Sequence, residues 1–251
     1  MVIFMLPPNA WPDSSAFTES KRISHLIVSD FKDYYSLSNF GKVGIGLCFA
    51  GIIANTDADE NIQDWVQDSV VDDDTDDFSK AVKNIGSWKR VTPVYLGFAA
   101  SGYLFKNEGF MKGTGTWGGK TFRALLVGMP SILFWQFALG AGRPSDGGDS
   151  KWHPGEDNNS ASGHTFTGAV PFITAAKMTD NLYLKSLCYV GSTFTGFSRI
   201  NDNQHYVSQT VLGWWLGYLA VESIDKTDKS NFQIAPLPVR DGFGITAMYR
   251  F

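Results

Sequence analysis

The sequence predicts an all-α protein, a helical bundle with a short C-terminal β-hairpin. Apolar residues recur at helical rather than alternating spacing through most of the chain. Gly, Pro and polar clusters interrupt them at helix-length intervals. Only the tail from about 230 to 251, "NFQIAPLPVRDGFGITAMYRF", changes character, with two β-prone runs flanking "RDG". At 251 residues and 43% hydrophobic, the chain can bury one sizeable core, and one domain over 1–251 is expected.

The elements follow in order. "TESKRISHLIVSDFKDYY" puts Ile23, Ile27, Phe31 and Tyr34 on one stripe, a helix over 18–35, and a second apolar helix covers about 42–54. Next comes "TDADENIQDWVQDSVVDDDTDD", the most acidic segment. Its Asp57, Asp59 and Asn61 are loosely similar to a calcium loop, but Ile62 stands where that loop requires glycine. Ile62, Trp65 and Val66 therefore read as the apolar side of a helix with a solvated acidic face. Helices at about 76–85 and 91–105 are stopped by Gly86 and "KNEGF". "MKGTGTWGGK", 111–120, lacks the ending and strand context of a phosphate loop and reads as a connection between helices. A long helix over 120–140 ends at "GAGRP", and a polar loop fills 144–161. Further helices start at "SGHTF" and cover 181–197 and 205–224.

Composition narrows the function. A net charge of -4 and a pI near 5.5 give no basic footprint, which excludes nucleic acid as the expected partner. Cys48 and Cys188 lie in apolar runs and read as buried free thiols. "MVIFMLPPNAWPDSS" has an apolar start without a basic region, so it is not an intact signal peptide. Residues 124–142 are uncharged and come closest to a membrane span. Pro130 and Gln136 interrupt them, and mean hydropathy is -0.11. A core helix is the expectation, with association of one face with a membrane surface left open.

Three polar islands interrupt the apolar helices of the C-terminal half. In "GRPSDGG", Arg143 follows the long helix and Pro144 ends it. In "SASGHTF", Ser162 is placed to cap the helix beginning with Gly163 and His164. In "FSRINDNQHYVSQ", Arg199 closes one helix and His205 opens the next. Two guanidiniums match phosphate oxygens, and a capped helix N-terminus offers backbone N–H groups to an anion. Of two histidines that titrate near neutrality, one can attack phosphorus while the other protonates the leaving oxygen. No metal is required by such a set.

These islands resemble the signature of the type 2 phosphatidic acid phosphatase superfamily, which also includes bacterial acid phosphatases and vanadium haloperoxidases. Its blocks are Lys-x6-Arg-Pro, Pro-Ser-Gly-His and Ser-Arg-x5-His-x3-Asp. Here they read "QFALGAGRP" (136–144), "ASGH" (161–164) and "SRINDNQHYVSQ" (198–209), within a similarity running from about 120 to 222. The resemblance implies that His205 is the nucleophile and His164 the general acid. It also implies that Arg143, Arg199, Ser162 and the Gly163 N–H hold phosphate oxygens, that no cofactor is needed, and that the protein is periplasmic or secreted.

Three positions depart from the signature. Gln136 replaces the Lys, Gln209 the Asp and Ala161 the Pro. Gln136 can still donate to phosphate, but without the charge. Gln209, one turn after His205, can orient the ring but makes it a poorer base. Asp202, Asp146 and Asp149 are candidates to replace the carboxylate, and Lys151 and His153 the Lys. The leading expectation is a phosphoric monoester hydrolase acting on a lipid phosphate or small ester. Trp135, Trp152, Phe166, Tyr206 and Trp214 suit either a lipid group or an ordinary core. One alternative is a haloperoxidase with vanadate on His205, and another is a non-catalytic binder of an anion or lipid headgroup.

Overall fold

The computed structural model describes residues 14–105, 109–230, 232–239 and 242–249. Residues 1–13, 106–108 (the first three of "KNEGF"), 231, 240–241 and 250–251 lie outside the described residues. The fold is all-α, as the helical periodicity predicts. The helices are α1 (Ser14–Tyr34), α2 (Leu37–Ala54), α3 (Ala58–Ser69), α4 (Asp73–Val82), α5 (Trp88–Leu104), α6 (Gly109–Leu139), α7 (Gly163–Lys177), α8 (Leu182–Gly191), α9 (Phe194–Asn201) and α10 (Val207–Ser230). Two strands, β1 (Phe232–Val239) and β2 (Gly242–Tyr249), pair antiparallel after them.

Helices α6, α7 and α10 pack on one another, with α5 against α6 and both α1 and α2 against α10. Phe166 of α7 lies fully buried at their centre. A Cβ at Gly128 of α6 would come within 2.6 Å of its ring, so that glycine sets how closely α6 and α7 approach. The aromatics Trp135, Trp152 and Trp214 pack against this core. At the end far from the polar islands, α1, α6 and α10 are tied by charge. Arg123 donates through Nε and Nη2 to the two oxygens of buried Asp30, both at 2.7 Å, and through Nη1 to Asp228 at 2.8 Å.

Four expectations are corrected. Residues 111–120 are not a connection but the first part of α6. Their glycines serve close packing, since a Cβ at Gly115 would lie 2.3 Å from Gly102 Cα on α5. The helix expected over 181–197 is two helices, broken where the Ser192 hydroxyl donates to Tyr189 O (2.6 Å) and accepts from Trp214 Nε1 (2.8 Å). Cys48 is exposed and Cys188 partly so, although both are free. Helix α3 is also turned relative to expectation. Val66 is buried as expected, but Trp65 is 60% and Ile62 37% exposed, and Asp59 and Gln63 face inward instead. The surface that α3 meets consists of backbone groups needing partners, so its polar side is the buried one.

Candidate active site

The three islands meet at the end of the bundle where α6 stops and α7 and α10 start. Gly142 and Gly148 stack backbone to backbone, since a Cβ at Gly142 would lie 2.6 Å from Gly148 Cα. Hydrogen bonds from Gly142 N to Asp149 O and from Gly148 N to Arg143 O, both 3.0 Å, close this small loop and present Arg143. Ser162 caps α7, its hydroxyl oxygen accepting from Thr165 N (3.2 Å) and Thr165 Oγ1 (2.9 Å). The hydroxyl hydrogen of Ser162 remains to donate. Arg199 lies in the last turn of α9, and the chain reverses to His205 through Asn203, whose φ of 55° falls in the left-handed region that Asn tolerates.

Gln209 joins all three segments. It is fully buried, and its Oε1 meets His205 Nδ1 at 2.7 Å and accepts from Tyr206 N at 3.3 Å. Its Nε2 donates to Gly142 O at 2.9 Å, and its backbone carbonyl accepts from Ser162 N at 2.8 Å. The Tyr206 donor and the Gly142 acceptor fix which end of the amide faces the histidine. His205 must then carry its proton on Nδ1, leaving the Nε2 lone pair free.

The electrostatics follow from burial. His205 is 5% exposed, and desolvation pushes its pKa down to about 4. The hydrogen bond to Gln209 opposes this, while the charges of Arg143, His164 and Arg199 add to it. His164 opens to solvent on one side. Desolvation of the rest of its ring, then Arg199 and Arg143, lowers its pKa below the ordinary 6.5. Burial also pulls Arg199 down, against the pull of Asp202. Arg199 Nε is buried without a partner, an unsatisfied donor beside a second guanidinium and two imidazoles. Such a set fits an anion with several acceptor oxygens.

Other predicted residues fall in varied places. Gln136 reaches the mouth of α7, where its Nε2 donates to Ala161 O at 2.7 Å and a Cβ at Gly163 would lie 3.5 Å away. One amide hydrogen of Gln136 remains. None of the acidic candidates reaches His205. Asp202 pairs with Arg199, Asp149 with His153, and Asp146 accepts from Ser145. His153 is thus occupied in the loop and does not replace the Lys. Tyr206 donates to Gly148 O at 2.8 Å, tying the start of α10 to the loop that presents Arg143.

Several residues that position the site carried no motif. Asn159 Oδ1 accepts from Arg143 Nε at 2.7 Å. From α3, Gln63 donates to Ile200 O (3.1 Å) and Asn203 Oδ1 (2.7 Å), and Gln67 donates to Ile200 O (3.0 Å). Asp59 takes both Ser208 N (3.0 Å) and Ser208 Oγ, so a carboxylate from α3 caps the helix that begins just after His205. From α4, Ser79 bonds Ser198 Oγ at 2.7 Å and also Asp202, and Asp76 accepts from Asn201 Nδ2 at 2.8 Å. Beneath His164, a Cβ at Gly86 would approach the His164 carbonyl to 2.7 Å. The available sequence signal was the density of amides in 61–67 and 201–204, groups suited to backbone partners.

A comparison with protein families matches residues 115–224 to the PAP2 superfamily, from the body of α6 to α10. No curated protein and no solved structure matches the chain.

Proposed function

We propose, on the premise that residues 115–224 match the PAP2 superfamily, whose members are generally phosphatases, that the protein hydrolyses phosphoric monoesters through a phosphohistidine on His205. The observation that carries this is the Gln209 contact, which holds the His205 proton on Nδ1 and leaves Nε2 free. Nε2 attacks phosphorus, the bond to the leaving oxygen breaks, and His164 gives that oxygen its proton. His164 then takes a proton from water, whose oxygen attacks phosphorus. The P–N bond breaks, phosphate leaves and neutral His205 returns. Arg143, the free donors of Arg199, the Ser162 hydroxyl and the Gly163 N–H hold the equatorial oxygens. Gln136 adds a neutral donor, and no metal takes part.

The outer faces favour a lipid phosphate as substrate. Leu37 is 89% and Tyr183 86% exposed, and Ile45, Ile52, Leu182 and Leu187 are also uncovered on α2 and α8. Helices α2 and α6 are long and apolar enough to cross a membrane. Surfaces of this kind mark membrane or protein contact, and here they would bring the pocket to a membrane surface. A second reading, a phosphate binder without turnover, is favoured by one observation. Among the described residues, the group behind His205 is the neutral amide of Gln209 and no carboxylate, so the cation formed when Nε2 bonds phosphorus has no counter-charge there.

The test is p-nitrophenyl phosphate hydrolysis from pH 4 to 9 in chelator, beside His205→Ala. Substitution of the nucleophile should remove turnover by about 10^4-fold or more. His205 must be neutral and His164 protonated. Activity should therefore rise as pH passes about 4 and decline before 6.5, the ordinary value that His164 falls below. Turnover that survives in His205→Ala, or that requires added metal, would sink the mechanism. Vanadate binding with no hydrolysis of soluble or lipid esters would select the binder.

A further inference from the structure

Asp202 lies in the five-residue spacer between Arg199 and His205, where the signature asks for no particular side chain. Its Oδ2 accepts from Arg199 Nη2 at 2.6 Å, and its Oδ1 accepts from the hydroxyl of Ser79, which is fully buried on α4. Ser198, adjacent to Arg199 and fully buried, bonds the same Ser79 hydroxyl and also lies 3.2 Å from Arg199 Nη2. One corner of the guanidinium is thus fixed by a chain of contacts reaching another helix, while Nε stays buried and unpartnered. Arg143 is held by a neutral amide, Asn159, so the two arginines are supported differently.

We propose that Asp202 is the positioning residue of the anion site: it orients Arg199 through Nη2, leaves Nε and Nη1 for the phosphoryl oxygens, and sets by its charge how tightly a doubly charged phosphate is held. This rests on the reading of the pocket as a phosphate site. Charges around Asp202 come from several elements. Arg199 precedes it on α9, and Arg143, His164 and His205 lie on the pocket side. Asp76 and Lys80 of α4, with Lys83 just after it, line a cavity of about 420 Å³ behind it. With two arginines and one carboxylate, the fixed charge of the group is +1, less than the two charges of a phosphate dianion. Product phosphate is then released readily, a property that a third cation or an unbalanced Arg199 would oppose.

The experiment compares the full chain with Asp202→Asn and Ser79→Ala, measuring inorganic phosphate binding by calorimetry at pH 7 and the pH profile of p-nitrophenyl phosphate hydrolysis. Asp202→Asn keeps a hydrogen-bond acceptor and removes the charge. It should bind phosphate roughly tenfold more tightly, through the unbalanced cation. Its kcat should fall through slow product release, and both limbs of its profile should move to lower pH, because added positive charge disfavours both imidazolium ions. Ser79→Ala keeps the charge and loosens its support, so KM should rise with the limbs in place. Unchanged phosphate affinity and unmoved limbs in Asp202→Asn would overturn the proposal. If that variant does not fold, an unchanged KM in Ser79→Ala would do so. Wild-type protein that neither binds phosphate nor hydrolyses the ester would overturn the phosphate-site reading and this inference together, whereas binding by wild type with indifferent variants would overturn this inference alone.

Discussion

Two arginines with nearly equal exposure, Arg123 and Arg199, sit at opposite ends of the bundle and are treated in opposite ways. Every nitrogen of Arg123 has a carboxylate partner, from Asp30 or Asp228, and these contacts raise its pKa against the effect of burial. Arg199 has one carboxylate, on Nη2, a buried Nε with no partner, and a lowered pKa. A buried guanidinium left incompletely paired costs stability, because its desolvation is not recovered. The far end shows that this chain can complete such a set. The incomplete one lies beside His164, His205 and Arg143, which is what a site reserved for an anion requires.

Substitution at both ends should sharpen the contrast most. Arg123→Met strands Asp30 in the core and should lower stability by about 3–5 kcal/mol, read by denaturant melts, with the pocket chemistry of the surviving folded fraction intact. Arg199→Ala should do the reverse, lowering kcat/KM by roughly 10^2–10^3-fold with a much smaller loss of stability. Equal stability losses at the two positions would break the comparison. Next in size is the effect of a ligand. Vanadate at a hundred times its Kd should stabilise the protein by about 2.7 kcal/mol, and Arg199→Ala should lose most of that shift in Tm. The smallest effect expected is on Gln209→Asp. A carboxylate facing Nδ1 should raise the His205 pKa and accelerate phosphohistidine formation roughly tenfold, visible as a burst in rapid-quench traces. No change in either quantity would mean that the loss of the contact to Gly142 outweighs the added charge.

The C-terminal half was largely legible because its chemistry is local in sequence. Arg143, Ser162 with His164, and Arg199 with His205 each sit at a helix boundary, where polar residues stand out against apolar runs. The acidic helix α3 resists reading for a physical reason. Asp59 and Gln63 lie on the buried side of α3 because the surface opposite offers a helix N-terminus and open carbonyls, and composition reports only that α3 is polar. The glycines of 111–120 were misread because a residue that permits close helix packing and one that permits a turn are the same residue. Asp202 reads from the sequence only as a spare carboxylate, because its partner is set by the direction of the α9–α10 turn, which no local pattern encodes.

The hydrogen bonds from α3 and α4 to the turn between Ser198 and Ser208 connect residues 119 to 149 positions apart in the chain. Their formation must await closure of very long loops, and contacts of that kind are late events in folding. A refolding chain should therefore regain its helical signal well before the contacts from α3 and α4 to this turn close. A cell making this protein would carry, for that interval, a compact helical chain whose turn between Ser198 and Ser208 still lacks its partners from α3 and α4.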